Sequence, residues 1–150
     1  MENIVVVIMA LTLCFGVAFA FEHGGTELKE HGGTAVKTPT ATDIHSAMRN
    51  YIDQKSAATG TFDIDDPVTG KPRNLKLERI HERVGKTGGN YYSCADFKDT
   101  ASGDILDLDL DVKDSGAGLK VVDVRIHKVN GKERYTYDKN DNRIPVEQMK

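Results

Sequence analysis

Cysteine is scarce: the 150-residue chain holds two, Cys14 and Cys94. Cys14 lies inside an apolar leader, so Cys94 alone remains in the mature chain. An intramolecular disulfide is then excluded, and the fold must rest on its apolar core. A surplus of one charge is missing as well. Twenty Lys plus Arg stand against twenty-three Asp plus Glu, a formal net charge of −3. No basic stripe runs along the chain, which argues against nucleic-acid binding through phosphate neutralisation. Catalytic signatures are lacking too, with no nucleophile elbow, no Ser-His-Asp order and no paired catalytic glutamates. No second helical pattern separates the strand-like segments, which excludes a parallel βαβ sheet.

What the sequence does have begins with its first twenty residues. Residues 4–20 are an uninterrupted apolar run ending in Ala18-Phe19-Ala20. That is the small-x-small pattern a signal peptidase requires, so the leader predicts export to the periplasm or beyond, with the membrane met only in transit. Residues 16–18 offer a second cleavage point. The n-region Met1-Glu2-Asn3 carries no Lys or Arg, an unusual feature for a leader. Two other readings compete. An uncleaved anchor would need a full membrane span, and the run is at the short end for one. Lipidation at Cys14 would need a small residue before it, where Leu13 stands. Cleavage leaves about 130 residues, enough for one domain.

Residues 21–41 read as a flexible tail. They contain an echo, Glu22-His23-Gly24-Gly25-Thr26 and Glu30-His31-Gly32-Gly33-Thr34, too few copies for a stacked repeat. A single domain is expected over residues 42–150. Ile44, Ala47, Met48, Tyr51 and Ile52 form one helical stripe, with Thr42 as the expected N-cap and Gly60 as the end marker. From Thr61 the period changes to two. Strands are expected at residues 62–64, 73–84 (with a bulge near Glu78 or Arg79), 91–98, 104–112, 119–129 and 132–138. Asn130-Gly131 is the strongest hairpin signal, since both residues tolerate positive φ. The expected core is Ile44, Met48, Ile52, Leu106, Leu108, Leu110, Val122, Val124 and Ile126. The fold class is therefore α+β: one N-terminal helix on an antiparallel meander sheet of about six strands. In outline this resembles the helix-on-curved-sheet arrangement of cystatin-like folds, a likeness of architecture that implies no particular function.

Four groups of residues invite a chemical reading. A mature chain beginning Phe21-Glu22-His23 places histidine third. The α-amine, two amide nitrogens and the His23 imidazole can then take Cu(II) or Ni(II) in a square plane, with His31 as a further donor. The competing reading is a plain spacer. Asp107, Asp109 and Asp111 alternate along a strand, about 6.8 Å apart, too far for neighbours to share an ion as an Asx loop does. They read as a solvated face with Arg125 as cross-strand partner, or else as an acidic surface for a cationic partner. Residues 138–142 open like a calcium loop but have Arg143 at the sixth position and Met149 at the twelfth, so they read as a polar turn. His81, Arg83, Arg125 and His127 share strand parity and are candidates for a ligand-binding sheet face. Cys94 reads as a buried small hydrophobe.

The sequence thus predicts an exported, non-enzymatic binding domain without a resident cofactor, its partner a small ligand or an envelope protein. A periplasmic metal-binding protein using Phe21, His23 and His31 is the alternative. An enzyme using His81 or His127 ranks third.

Overall fold

The structure is a computed structural model and describes residues 37–146. The leader and the stretch holding Phe21, His23 and His31 lie outside the described residues, and with them the copper and nickel reading. Among the described residues, no helix is long and apolar enough to cross a membrane.

Helix α1 (Ala41–Ser56) starts at Thr40, two residues before the expected cap. The reason is Asp43. From Thr40 it is the third helical residue, so the two form a reciprocal box. Thr40 Oγ1 accepts the Asp43 N–H at 3.2 Å, and Asp43 Oδ2 accepts the Thr40 N–H at 2.9 Å. The far end closes as expected, with Gly60 at φ 77° and its N–H donating to the Ser56 carbonyl. Ile44, Met48 and Ile52 are buried along one stripe.

Strands β1 (Phe62–Asp66), β2 (Lys71–Ile80), β3 (Gly85–Thr87), β4 (Asn90–Asp99), β5 (Ile105–Asp114), β6 (Leu119–Val129) and β7 (Lys132–Glu133) form one sheet. Its order is β1-β2-β4-β5-β6-β7, with β3 also on β4 and every pair antiparallel. One helix packs on an antiparallel sheet, as the periodicity predicts. The strand expected over residues 73–84 is shorter, however. It bulges between Leu77 and Arg79 as expected, ends at Ile80, and resumes as β3 on the same edge of β4. Ser93 spans the break: its hydroxyl lies 3.0 and 2.9 Å from the carbonyl oxygens of His81 and Arg83, which have left the ladder.

The core lies between α1 and the sheet. Phe62, Leu75, Ala95, Phe97, Leu106, Leu108, Leu110 and Val112 join the helix stripe, and Ile126 closes it. Val124 packs against this cluster from a partly buried position. Val122 does not belong: it is 48 % exposed, and Val121 is buried in its place. A register shift explains this. Asp111 pairs with Asp123 while Val112 pairs with Val121, so Val122 is the extra residue and is turned out.

The chain's end also departs from expectation. The Asn130-Gly131 turn forms, with φ of 49° and 77°, but its return strand β7 has only two residues. Strands β8 (Tyr135–Tyr137) and β9 (Arg143–Pro145) then pair with each other as a separate hairpin. The sheet curls until Asp66, ending β1, meets Arg134, just before β8. Arg134 donates to both Asp66 oxygens, at 2.7 and 2.9 Å. Arg73 joins Asp66, Asp99 and Asp104 beside it. These arginines hold the Asp66 carboxyl well below the usual range, Arg134 foremost, against the opposing effect of burial.

Candidate functional site

The sheet face away from α1 is acidic. Cys94 opposes Asp109, Asp96 opposes Asp107, and Tyr92 opposes Asp111 across the β4–β5 ladder. Alternation sends Leu106, Leu108 and Leu110 into the core and the aspartates outward. A second register shift, on β6, delivers a histidine to the same face. Asp107 pairs with Lys128 and Leu108 with Ile126, which leaves His127 as the extra residue beside Asp107.

This face is not solvated, and here the sequence expectation is corrected. Asp109 is 1 % and Asp111 6 % exposed. The β8–β9 hairpin covers them. Tyr135 and Tyr137 both donate their hydroxyls to Asp109 Oδ2. Arg143 grips both oxygens of Asp111 and lies 5.7 to 5.8 Å over the rings of Tyr92, Tyr135 and Tyr137. Tyr92 stacks on Tyr137 at 4.9 Å and donates to Asp141 Oδ1 at 3.2 Å. Arg125, expected as a cross-strand partner of this aspartate row, pairs with Asp123 instead.

Burial and nearby carboxylates set the electrostatics. Burial, helped by Asp141, pushes the Tyr92 hydroxyl up to about 12. Burial followed by Asp109 raises Tyr135 and Tyr137, so both stay protonated as donors. Burial works against the Arg143 charge, but Asp111 outweighs it. The Cys94 thiol donates to Asp109 Oδ1 at 2.7 Å. Burial first, then the Asp109 charge, pushes that thiol up, which is the opposite of what a nucleophilic cysteine needs. Burial also raises Asp107, although His127 and His81 pull the other way.

Four groups here have a buried polar atom without a hydrogen-bond partner, Arg143 at its Nε among them. Both ring nitrogens of His127 are without a partner, and its side chain is 9 % exposed. Its Nδ1 lies 3.7 Å from Asp107 Oδ2 and 4.0 Å from Asp109 Oδ1. Asp107 Oδ1 is unpartnered as well. His81 Nε2 is 3.0 Å from Asp96 Oδ1 but makes no hydrogen bond of good geometry there. Two sets of donors thus share one acid: Cys94, Asp107, Asp109 and His127, and beside them His81, Asp96 and Asp107. Within each set, one donor atom per residue lies within 4.8 Å of the others.

Of the candidates read from sequence, His127 is buried in this cluster and His81 stands at its edge. Arg83 lies at the rim, paired with Asp141, and Arg125 is half-exposed on Asp123. Phe21, His23 and His31 lie outside the described residues. Sequence reasoning undervalued Cys94, Asp107 and Asp109, and missed Asp96, Tyr135, Tyr137 and the role of Arg143. The one available signal was Tyr135-x-Tyr137, an alternation that aims two hydroxyls the same way. The arrangement can bind a cation, hold protons on its tyrosines and exclude bulk water. No family model matches the chain, and neither a curated protein nor a solved structure shows detectable similarity to it.

Proposed function

We propose that this chain is an exported, non-enzymatic binding domain that takes a small cationic ligand on the acidic face of its sheet, under the β8–β9 hairpin. His127 is the observation that carries this reading. A buried polar atom without a partner costs on the order of 1–3 kcal/mol, and this imidazole has two. It stands among Asp107, Asp109 and the Cys94 sulfur, donors suited to a positive charge. Export rests on the leader. The raised Cys94 thiol supports binding over covalent catalysis.

A second reading rests on sequence alone: a Cu(II) or Ni(II) site at Phe21 and His23, with His31 as an added donor. It needs no folded scaffold and is compatible with the first.

Thermal melts of chelator-treated mature protein test the main reading. A panel of divalent and organic cations should contain members that raise the midpoint, as mass action on the folded state requires. Asp107→Asn should remove that rise. Stabilisation by phosphate or carboxylates instead, lost in Arg83→Gln and Arg125→Gln, would show that the face selects anions and overturn the proposal.

A further inference from the structure

The cationic ligand can be narrowed to a chemical class, an inference that rests on the binding reading above. We propose that Cys94 Sγ, Asp107, Asp109 and His127 form a four-donor site for a divalent transition ion of the zinc class.

The donors come from three adjacent strands, β4, β5 and β6, so backbone ladders fix their positions. Their ligand atoms already lie within 4.8 Å of one another. A tetrahedron around an ion with bonds of about 2.0–2.3 Å would draw these atoms closer together than that. The β6 bulge matters here, because without it His127 would lie out of phase with Asp107.

A neutral polar network accounts for part of the cluster but not all of it. Cys94 and Asp109 satisfy each other. That leaves both His127 nitrogens and Asp107 Oδ1 without partners, with Nδ1 3.7 Å from Asp107 Oδ2 and 4.0 Å from Asp109 Oδ1. An ion bound by His127 and Asp107 would take one ring nitrogen and one carboxylate oxygen of this unpartnered group.

The surroundings are those of a metal's outer shell. Tyr135 and Tyr137 occupy Asp109 Oδ2, which leaves Oδ1 turned toward Cys94 and His127. Tyr135 stacks on the His127 ring at 4.8 Å and sets its orientation. Such partners fix ligand geometry and typically change affinity by about 10–100-fold when removed. A thiolate and two carboxylates exceed a dication by one charge. Arg143, whose charge is shared with Asp111, places its Nε 3.8 Å from Asp109 Oδ2 beside that excess.

The donor set selects the ion. Sulfur and imidazole are poor ligands for Ca(II) and Mg(II), which take oxygen. Two carboxylates disfavour Cu(I). One sulfur, one nitrogen and two oxygens suit Zn(II), with Co(II) as its spectroscopic stand-in. On binding, the Cys94 S–H bond breaks, a sulfur–metal bond forms, and the proton leaves to solvent. No electron is transferred.

The test uses Co(II) on the full mature chain carrying His23→Ala, which removes the N-terminal alternative. Binding should produce a sulfur-to-cobalt charge-transfer band and the visible bands of a tetrahedral ion. Cys94→Ser should abolish the charge-transfer band. His127→Gln should weaken Co(II) and Zn(II) by about 10-fold or more, and Tyr137→Phe should weaken them by about 10–100-fold. Circular dichroism checks that each variant is folded, and Cys94→Ala stands in should the serine variant fail. A charge-transfer band that survives loss of Cys94, or no band at all, overturns the site. If organic cations still stabilise the protein in that case, the binding reading stands and the metal assignment alone is wrong. If no cation stabilises it, both fall.

Discussion

Gly85 and Tyr92 face each other in register across the β3–β4 hairpin, and a Cβ on Gly85 would overlap Cε1 and Cζ of the Tyr92 ring. The outer part of the ring lies over the glycine, as aromatic side chains do when they cover a bare backbone position in a sheet. It cannot simply swing away, because it stacks on Tyr137 and its hydroxyl reaches Asp141. Gly85→Ala should therefore destabilise the domain by about 1–3 kcal/mol through overpacking. Urea unfolding measures this. A change near zero would mean that the Tyr92–Tyr137 stack yields easily.

Asp109→Asn is the sharpest check on the acidic face. A solvated Asp109 would make the substitution nearly silent, within about 0.5 kcal/mol. Buried as it is, Asp109 accepts two tyrosines and a thiol, and an amide sets a donor against at least one of them. A loss of about 1–3 kcal/mol is expected in chelator-treated protein. Leu108→Ala on the same strand should cost about 2–5 kcal/mol by leaving a cavity. Val122→Thr, on a bulge turned to solvent, should change stability by under about 0.5 kcal/mol.

Acid should weaken the seam where β1 meets the approach to β8. Asp66 is depressed in the folded state by Arg134, by the Val68 N–H, by the Thr69 side chain and by Arg73, against the opposing effect of burial. The sign follows from linkage: a depressed carboxyl stabilises above its unfolded pKa, about 3.9, and that stability drains away as pH falls toward the folded value. Denaturation midpoints measured from neutrality downward should hold until about pH 4 and then decline. In Asp66→Asn the midpoint at pH 7 should drop and the acid limb should flatten. An unchanged acid limb would place the titrating groups elsewhere.

Native material should begin at Phe21, as intact mass and N-terminal sequencing will show. A chain beginning at Met1, or an acylated Cys14, contradicts this. If Phe21 is first, Cu(II) should give a square-planar absorption band that is lost in His23→Ala. The band should also be lost when one extra residue precedes Phe21. Binding that survives both changes moves the copper site to His31 or to the strand histidines.

The helix stripe and the Leu106-x-Leu108-x-Leu110 face were legible because each sustains one period over several turns or residue pairs. Asn130-Gly131 was legible for its tolerance of positive φ, which both residues adopt. Bulges were harder. Val121 and Val122 are chemically identical neighbours, so nothing local says which one turns inward, and the answer depends on the pairing of Asp111 with Asp123. The helix start turned on which of two threonines Asp43 could serve. The acidic site was the least legible part. Alternating aspartates look the same whether water or protein covers them. Their cover comes from Tyr135–Tyr137 and Arg143–Pro145, strands of three residues each and too short to show a period.

Because β8 and β9 form their ladder with each other, breaking it leaves the β4, β5 and β6 ladders intact. Their amide protons should thus exchange with solvent deuterium through a local opening, well before those of the core strands. The same opening would uncover Asp109 and His127 while α1 stays docked. How quickly anything reaches or leaves those two side chains is then set by the lifetime of one short hairpin rather than by the stability of the whole domain.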